Sequence, residues 1–451
     1  MRAALILVAS LVPAVAVANG RAPLTNGVFL RPGDEHSLYV RTTFGLLISH
    51  DDGCTFRWVC EKAIGYGGEF DPKYAVATDG AIFATTFTGL RVSRDNGCTW
   101  TTATAGASVT DPGRIADIWI DAIDISSTGE IWVATAESAK PNDVYRSTDN
   151  GITFRPMGLS SAVVWWKSVK VAKSNPQRIY AAGYQVAGTA QVHLMRSDNG
   201  GAMWTEMPLP PNVLYGSTPT IHVLAVDPAD PDHLYIRSLE ANPPAGDRIY
   251  RSHDGGVTFT EVAVTTDLVR DIVIRSNGSA LIATINGGTF ESKAATGEFA
   301  RIGKTVSISQ DLRPPRLGCL AQKPDGTLVG CGANWGPDYM AVGRASDPLA
   351  WQKLFRFVEL VGPNTCAAGT TNAELCDPLW PALKTQFEAT GVSSCTALPD
   401  LEVHDLPTPA VKNGSGCCDA GGGTPGGTLA LSGLVAALIL RRRYSASRQL
   451  G

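Results

Sequence analysis

Charged and imidazole side chains stand at the head of several short apolar runs. Asp117 and Asp121 precede residues 122–125, Lys167 precedes 169–172, and His222 precedes 223–226. Arg270 and Asp271 open 271–275, and Arg316 precedes 317–322. Between the runs lie long segments that carry aromatics: Tyr66, Trp165, Trp166, Tyr215 and, within 334–339, Trp335. Two carboxylates opposed across roughly 5–9 Å would hydrolyse a glycosidic bond. A ring of mixed charges with aromatic faces would instead hold a sugar or a peptide. Only Asp117, Asp121 and Asp271 are acidic in this set, so binding is the better supplied chemistry. The seven His are scattered and no Cys-x-x-Cys or His-x-x-x-His spacing occurs, so no metal is expected. No Gly-rich phosphate loop of the P-loop type is present, and no cofactor is expected. A net charge of −4 offers no overall basic footprint for nucleic acid.

Side chains so far apart in sequence need a repetitive scaffold to converge, and one octet recurs. It reads SHDDGCTF at 49–56, SRDNGCTW at 93–100, STDNGITF at 147–154 and SHDGGVTF at 252–259, with a degenerate SDNGGAMW at 197–204. The fixed positions suit a tight hairpin. A carboxylate (Asp51, Asp95, Asp149, Asp254) or amide (Asn199) accepts backbone N–H bonds inside its own turn. The glycine takes backbone angles that a Cβ disfavours, and the final aromatic packs on a neighbouring unit. These five residues are therefore expected to be structural. Alternating strands precede the octets, at 37–42, 81–86, 130–135, 178–183 and 233–237, and the apolar runs named above precede those. One unit is thus four strands. A sixth, without a proper octet, spans 280–302, and a seventh spans 317–357. Four-stranded units of about 40 to 55 residues have the period of propeller blades. The expected fold is all-β, a seven-bladed β-propeller of four-stranded antiparallel blades, with six or eight blades as the alternatives.

The octets resemble the Asp-box, or BNR, repeat of the sialidase, sortilin and xyloglucanase-like superfamily, S-x-D-x-G-x-T-[W/F]. The resemblance implies octet hairpins on one face and ligand binding on the other, over the channel. It brings two enzyme families to test. The sialidase F/Y-R-I-P motif has a poor echo in Phe29-Leu30-Arg31-Pro32, where the Arg is displaced. The xyloglucanase-type segment R-T-D-x-G-G resembles Arg41-Thr42-Thr43-Phe44-Gly45, but Thr43 stands where the catalytic Asp belongs. Non-enzymatic relatives, the sortilin-like receptors and photosystem II assembly factors, bind polypeptides. The expected function is a binding, adhesion or protein-interaction module. The ligand is an unidentified glycan or polypeptide, held by Asp121, Lys167, His222, Arg270, Asp271, Arg316, Trp165, Trp166, Tyr215 and Trp335. The alternative is a glycan-active hydrolase, disfavoured by Thr43.

The ends carry addresses. Arg2, an apolar run over 3–17 and Ala16-Val17-Ala18 read as a signal peptide, 1–18, with the propeller over 19–361. A Cys-containing extension follows over 362–415, with a possible short helix at 379–390. Residues 416–451 hold Gly416-Cys417-Cys418-Asp419, a Gly-rich spacer, a short apolar helix over 428–440 and Arg441-Arg442-Arg443. This order resembles the tripartite MYXO-CTERM sorting signal, which implies export, membrane contact through the C-terminal segment, processing by a sorting protease near Cys417 or Cys418, and cell-surface display.

Excluding that pair leaves eight cysteines, an even number suited to disulfides in an oxidising compartment. Residues 317–322 and 327–332 read as a hairpin around Asp325, which sets Cys319 opposite Cys331 and predicts a bond between them. The other six allow fifteen pairings, and the sequence does not choose among them.

Overall fold

The computed structural model describes residues 21–395, apart from 69, 104–107, 210–212, 214–219, 241–245, 266, 285–287, 294–296, 303–316 and 337. The signal segment, the 428–440 helix, Cys417, Cys418, Tyr215 and Arg316 lie outside the described residues. The chain divides into a compact unit ending at Leu398 and a second, Pro399–Gly451, also outside them. Among the described residues no helix is long and apolar enough to cross a membrane.

Each repeat folds into its own antiparallel sheet. In the third, Ile120–Ile125, Ile131–Thr135, Val144–Ser147 and Arg155–Pro156 lie side by side in chain order. Seven such sheets form, each with its four antiparallel strands from one contiguous stretch of chain. Their first strands are Thr25–Arg31, Tyr74–Val76, Ile120–Ile125, Val164–Val171, Ile221–Val226, Val269–Ile274 and Cys319–Gln322. Each packs against the next, and the first packs against the last, so the ring is closed. The fold is a seven-bladed β-propeller.

The alternation expected over 81–86 and 130–135 is absent: Ile82–Thr86 and Ile131–Thr135 are buried at every position, as is Ala280–Thr284. The reason is geometric: each blade is sandwiched between two others, so both faces of its middle strands are covered, and such strands become continuously apolar. Outer strands reach solvent and are short and polar. Thr101–Thr102, Arg155–Pro156 and Thr205–Glu206 have two residues each, which leaves little edge for unwanted pairing.

The five octets adopt one turn. In each, the Ser hydroxyl donates to the Asp or Asn oxygen and accepts the Gly N–H, at 2.8–3.0 Å from Gly53, Gly97, Gly151, Gly201 and Gly256. The same Asp or Asn oxygen accepts the N–H of residues 55, 99, 153, 203 and 258 at 2.8 Å. Gly151 shows why glycine is required. Its φ is 78°, and a Cβ there would come within 2.6 Å of Phe83 in the preceding blade. The turn is thus also an inter-blade contact.

The four-stranded part of every blade is continuous in sequence, and the late part of the chain joins only the first blade, as an added outer strand. Across the seam, Thr25 donates to the Ala341 carbonyl at 2.7 Å, and the rings of Phe56 and Phe355 lie 4.5 Å apart. The chain then leaves the seventh blade and crosses the first as a strap. Gly362–Pro363 adds a fifth strand, parallel to Arg57–Cys60. Helices Thr371–Leu375 and Trp380–Phe387 follow, and Phe387 stacks on Phe357 at 4.8 Å. Disulfides Cys60–Cys376 and Cys54–Cys395 bind the strap to the first blade, and Cys98–Cys366 binds it to the second. The predicted Cys319–Cys331 bond is present, with the two residues directly paired and their Cα atoms 4.9 Å apart.

Candidate functional site

The octet turns and the turns joining first to second strands occupy one face. The other face carries the loops that enter each first strand and those between second and third strands. The central channel encloses a cavity of about 550 Å³, lined by the first strands of six blades.

Lys167, His222, Arg270 and Asp271, candidates from the sequence, line this cavity. Asp121 is buried beside it, ion-paired with Lys167, and Lys73 Nζ stands 3.6 Å from its carboxylate. Asp271 is a joint between blades: its carboxylate accepts the Ile272 N–H at 2.9 Å and the Leu320 N–H of the next blade at 3.0 Å. Burial nevertheless holds its pKa above the usual carboxylate range. Asp124 and Ser168 make the same kind of joint, accepting the N–H of Val171 and Val223 at 2.8 and 2.9 Å.

Other predicted residues fall elsewhere. Trp165 and Trp166 lie in the strand Val164–Val171 and not in a loop, and strand alternation sends them apart. Trp166 is 4% exposed and its indole donates to the Leu159 carbonyl, so it belongs to the core between blades. Tyr66 packs against the core of the first blade. Asp117 is exposed, sits at a left-handed φ of 57°, and pairs with Arg114 at 3.0 Å. Trp335 is 42% exposed but leans on Phe357, ring centroids 5.7 Å apart, and does not line the cavity. Thr43 is buried; its hydroxyl donates to the Ala22 carbonyl at 3.0 Å and accepts the Leu24 N–H at 3.1 Å, holding the start of the first blade.

Several residues were missed. Lys73 lines the cavity and precedes Tyr74–Val76, just as Lys167 precedes its apolar run, but three residues are too few for that run to stand out. Arg41 projects into the cavity from the second strand of the first blade, and Lys170 and Arg237 also line it.

The larger omission is aromatic. Phe70, Phe87, Trp119, Trp165 and Tyr184 form a contiguous arc over the second, third and fourth blades, with successive ring centroids 4.5, 4.9, 5.3 and 6.4 Å apart. All five lie on the face away from the octets. Phe87 is 50% exposed, in a two-residue turn between Ile82–Thr86 and Gly89–Ser93. Lys167 joins arc to channel, its Nζ 4.3 Å from the centre of the Trp119 ring and 5.7 Å from that of Trp165.

The channel is electropositive although the chain is net negative. Seven Lys and Arg line the cavity against Asp124 and Asp271. Lys73 and Lys167 share Asp121, Lys173 pairs with Asp124, and Arg237 pairs with Asp247 at 2.9 Å. Among the described residues Arg41, Lys170 and Arg270 form no ion pair, although Arg41 donates to Asn26 Oδ1 at 2.7 Å and both Arg41 and Lys170 feel the charge of Asp271. His222 registers this field: burial, then the nearby Arg237, Lys73 and Lys167, hold its pKa well below the usual imidazole value. Among the described residues no group of three or more potential metal ligands occurs.

Compared with known proteins, the chain matches no family model and no curated protein sequence. Its fold is similar to that of an ancestral GH74 enzyme, with TM-score 0.52 and 15% identity over 75% of this chain and 47% of that one. It is also similar to YCF48 bound to D1 peptide, with TM-score 0.34 and 17% identity over 55% of this chain and 72% of that one. An oligogalacturonate lyase in complex with manganese gives TM-score 0.44 and 9% identity over 69% and 87%. This chain covers about half of the GH74 structure. At 15% identity the likeness to the GH74 enzyme is one of fold alone.

Proposed function

We propose that this propeller is an exported, cell-surface binding module that engages a glycan or polypeptide on the face opposite its octet turns. The observation that carries this reading is the arc Phe70–Phe87–Trp119–Trp165–Tyr184 at the channel mouth. Phe87 is exposed and the other four rings are partly so, and clustered rings that reach solvent offer contact area at low entropic cost. Binding is favoured over hydrolysis by the state of the carboxylates. Asp121 is tied to lysines, Asp271 holds a blade joint, and the oxygen of Thr43 serves the fold.

Export agrees with four disulfides, which persist in oxidising compartments. Display at the surface rests on the C-terminal segment, with a sorting protease acting near Cys417 or Cys418 and membrane contact through residues 428–440. Deleting residues 416–451 tests it: the truncated protein should be released from cells, and retention as firm as that of the full chain overturns the anchor. A glycan and peptide array probed with the purified chain tests the binding.

A further inference from the structure

We propose that the ligand of this face is a carboxylated polysaccharide, its sugar rings lying on the aromatic arc and its carboxylates drawn to the channel cations Arg270 and Arg41. The inference rests on the binding reading above and adds the ligand's class.

Charge carries the first step. Seven Lys and Arg line one cavity against Asp124 and Asp271, and Lys73 and Lys167 share the single Asp121 buried beside it. Like charges gathered in a partly desolvated channel repel one another, and an anionic ligand relieves that repulsion. A neutral ligand does not.

Shape carries the second step. A peptide anchored by an aromatic or aliphatic side chain needs a concave apolar pocket. Here the hollow is cationic and the rings stand on its rim. Phe87 is the most exposed of them, and Lys167 sits where rim and hollow meet. A rim of rings above a cationic hollow suits a polymer in which each unit has both an apolar ring face and a carboxylate. In an acidic peptide those two features lie on different residues.

Three probes separate the ideas: alginate, alginate whose carboxylates have been converted to neutral amides, and poly-L-glutamate. Binding to the purified full chain is measured calorimetrically at low and at high salt. Alginate should bind, and the amidated form and poly-L-glutamate should each be weaker by at least about tenfold. Alginate binding should weaken with added salt, since salt screens charge pairs near the surface. The variant Arg270→Gln should lose about tenfold in alginate affinity with an unchanged melting temperature. Equal binding of amidated and native alginate overturns the charge assignment. If Trp119→Ala still abolishes that binding, the face itself stands and only the ligand class falls. Poly-L-glutamate binding as tightly as alginate replaces the polysaccharide with an acidic peptide. No binding of any probe overturns the inference, while the array decides separately whether the face binds anything.

Discussion

Cys60 in the outer strand of the first blade and Cys376 at the end of a strap helix are 316 residues apart in sequence, yet their Cα atoms lie 5.4 Å apart and a disulfide joins them. With Cys54–Cys395 and Cys98–Cys366 it binds the end of the propeller to its beginning. The ring is closed by a covalent strap together with the short strand Gly362–Pro363 that the strap adds to the first blade.

A graded loss of stability follows. In the chain-entropy model a loop of 100 residues or more is worth upwards of about 4.7 kcal/mol, but once one long loop is closed the neighbouring bonds close shorter ones. Replacing Cys60 and Cys376 by Ser should therefore cost less than that figure, because two bonds still hold the strap. Replacing all six strap cysteines should cost at least that much. Replacing Cys319 and Cys331, twelve residues apart, should cost about 3 kcal/mol. Denaturant unfolding of the three variants measures this, and equal losses for the single and triple strap variants would contradict it.

An octet glycine and a plain turn glycine give a paired prediction. Gly151 and Gly129 both have positive φ, 78° and 85°, but a Cβ would meet Phe83 at Gly151 and nothing within 4 Å at Gly129. Gly129→Ala should cost about 1 kcal/mol from backbone strain alone, and Gly151→Ala about 2–4 kcal/mol because overpacking adds to it. Thermal or denaturant melts of the two variants settle the order.

His222 predicts a pH dependence. Its pKa in the folded state lies well below the usual value, so between that pKa and about 6.5 the unfolded chain binds a proton that the folded chain does not. Stability rises with pH wherever the unfolded state binds more protons. The His222 contribution is therefore complete above pH of about 7 and declines as the pH falls through about 6.5. His222→Gln should flatten the stability profile between about pH 5 and 7, and a wild-type slope retained in the variant would assign the effect elsewhere.

The repeat made the fold legible. Five octets with fixed Ser, Asp or Asn, and Gly placed five hairpins, and the spacing between them left room for three further turns of chain per blade. The Cys319–Cys331 pair was readable because both residues sit on one local hairpin. The strap pairings were not, because they depend on where the chain goes after a full circuit of the ring. The site was harder still. Trp165 and Trp166 are neighbours in sequence, and strand geometry alone decides that one joins the arc while the other is buried. Phe87 sits in a turn too short to draw notice, and its partners Phe70, Trp119 and Tyr184 come from three separate stretches of chain. Asp271 looked like a ligand-binding carboxylate because the sequence does not reveal that the Leu320 N–H of the next blade already occupies it.

The arc provides the most direct measurement. Phe87 is half exposed and Trp119 partly so, so Phe87→Ala with Trp119→Ala should leave the propeller folded while removing the contact surface. The glycan and peptide array is probed with the parent chain, with this double variant, and with Asp325→Asn on the octet face as a control. The account predicts that every ligand of the parent is lost, or weakened by at least about tenfold, in the arc variant and kept by the control. Undiminished binding by the arc variant, at an unchanged melting temperature, would contradict it.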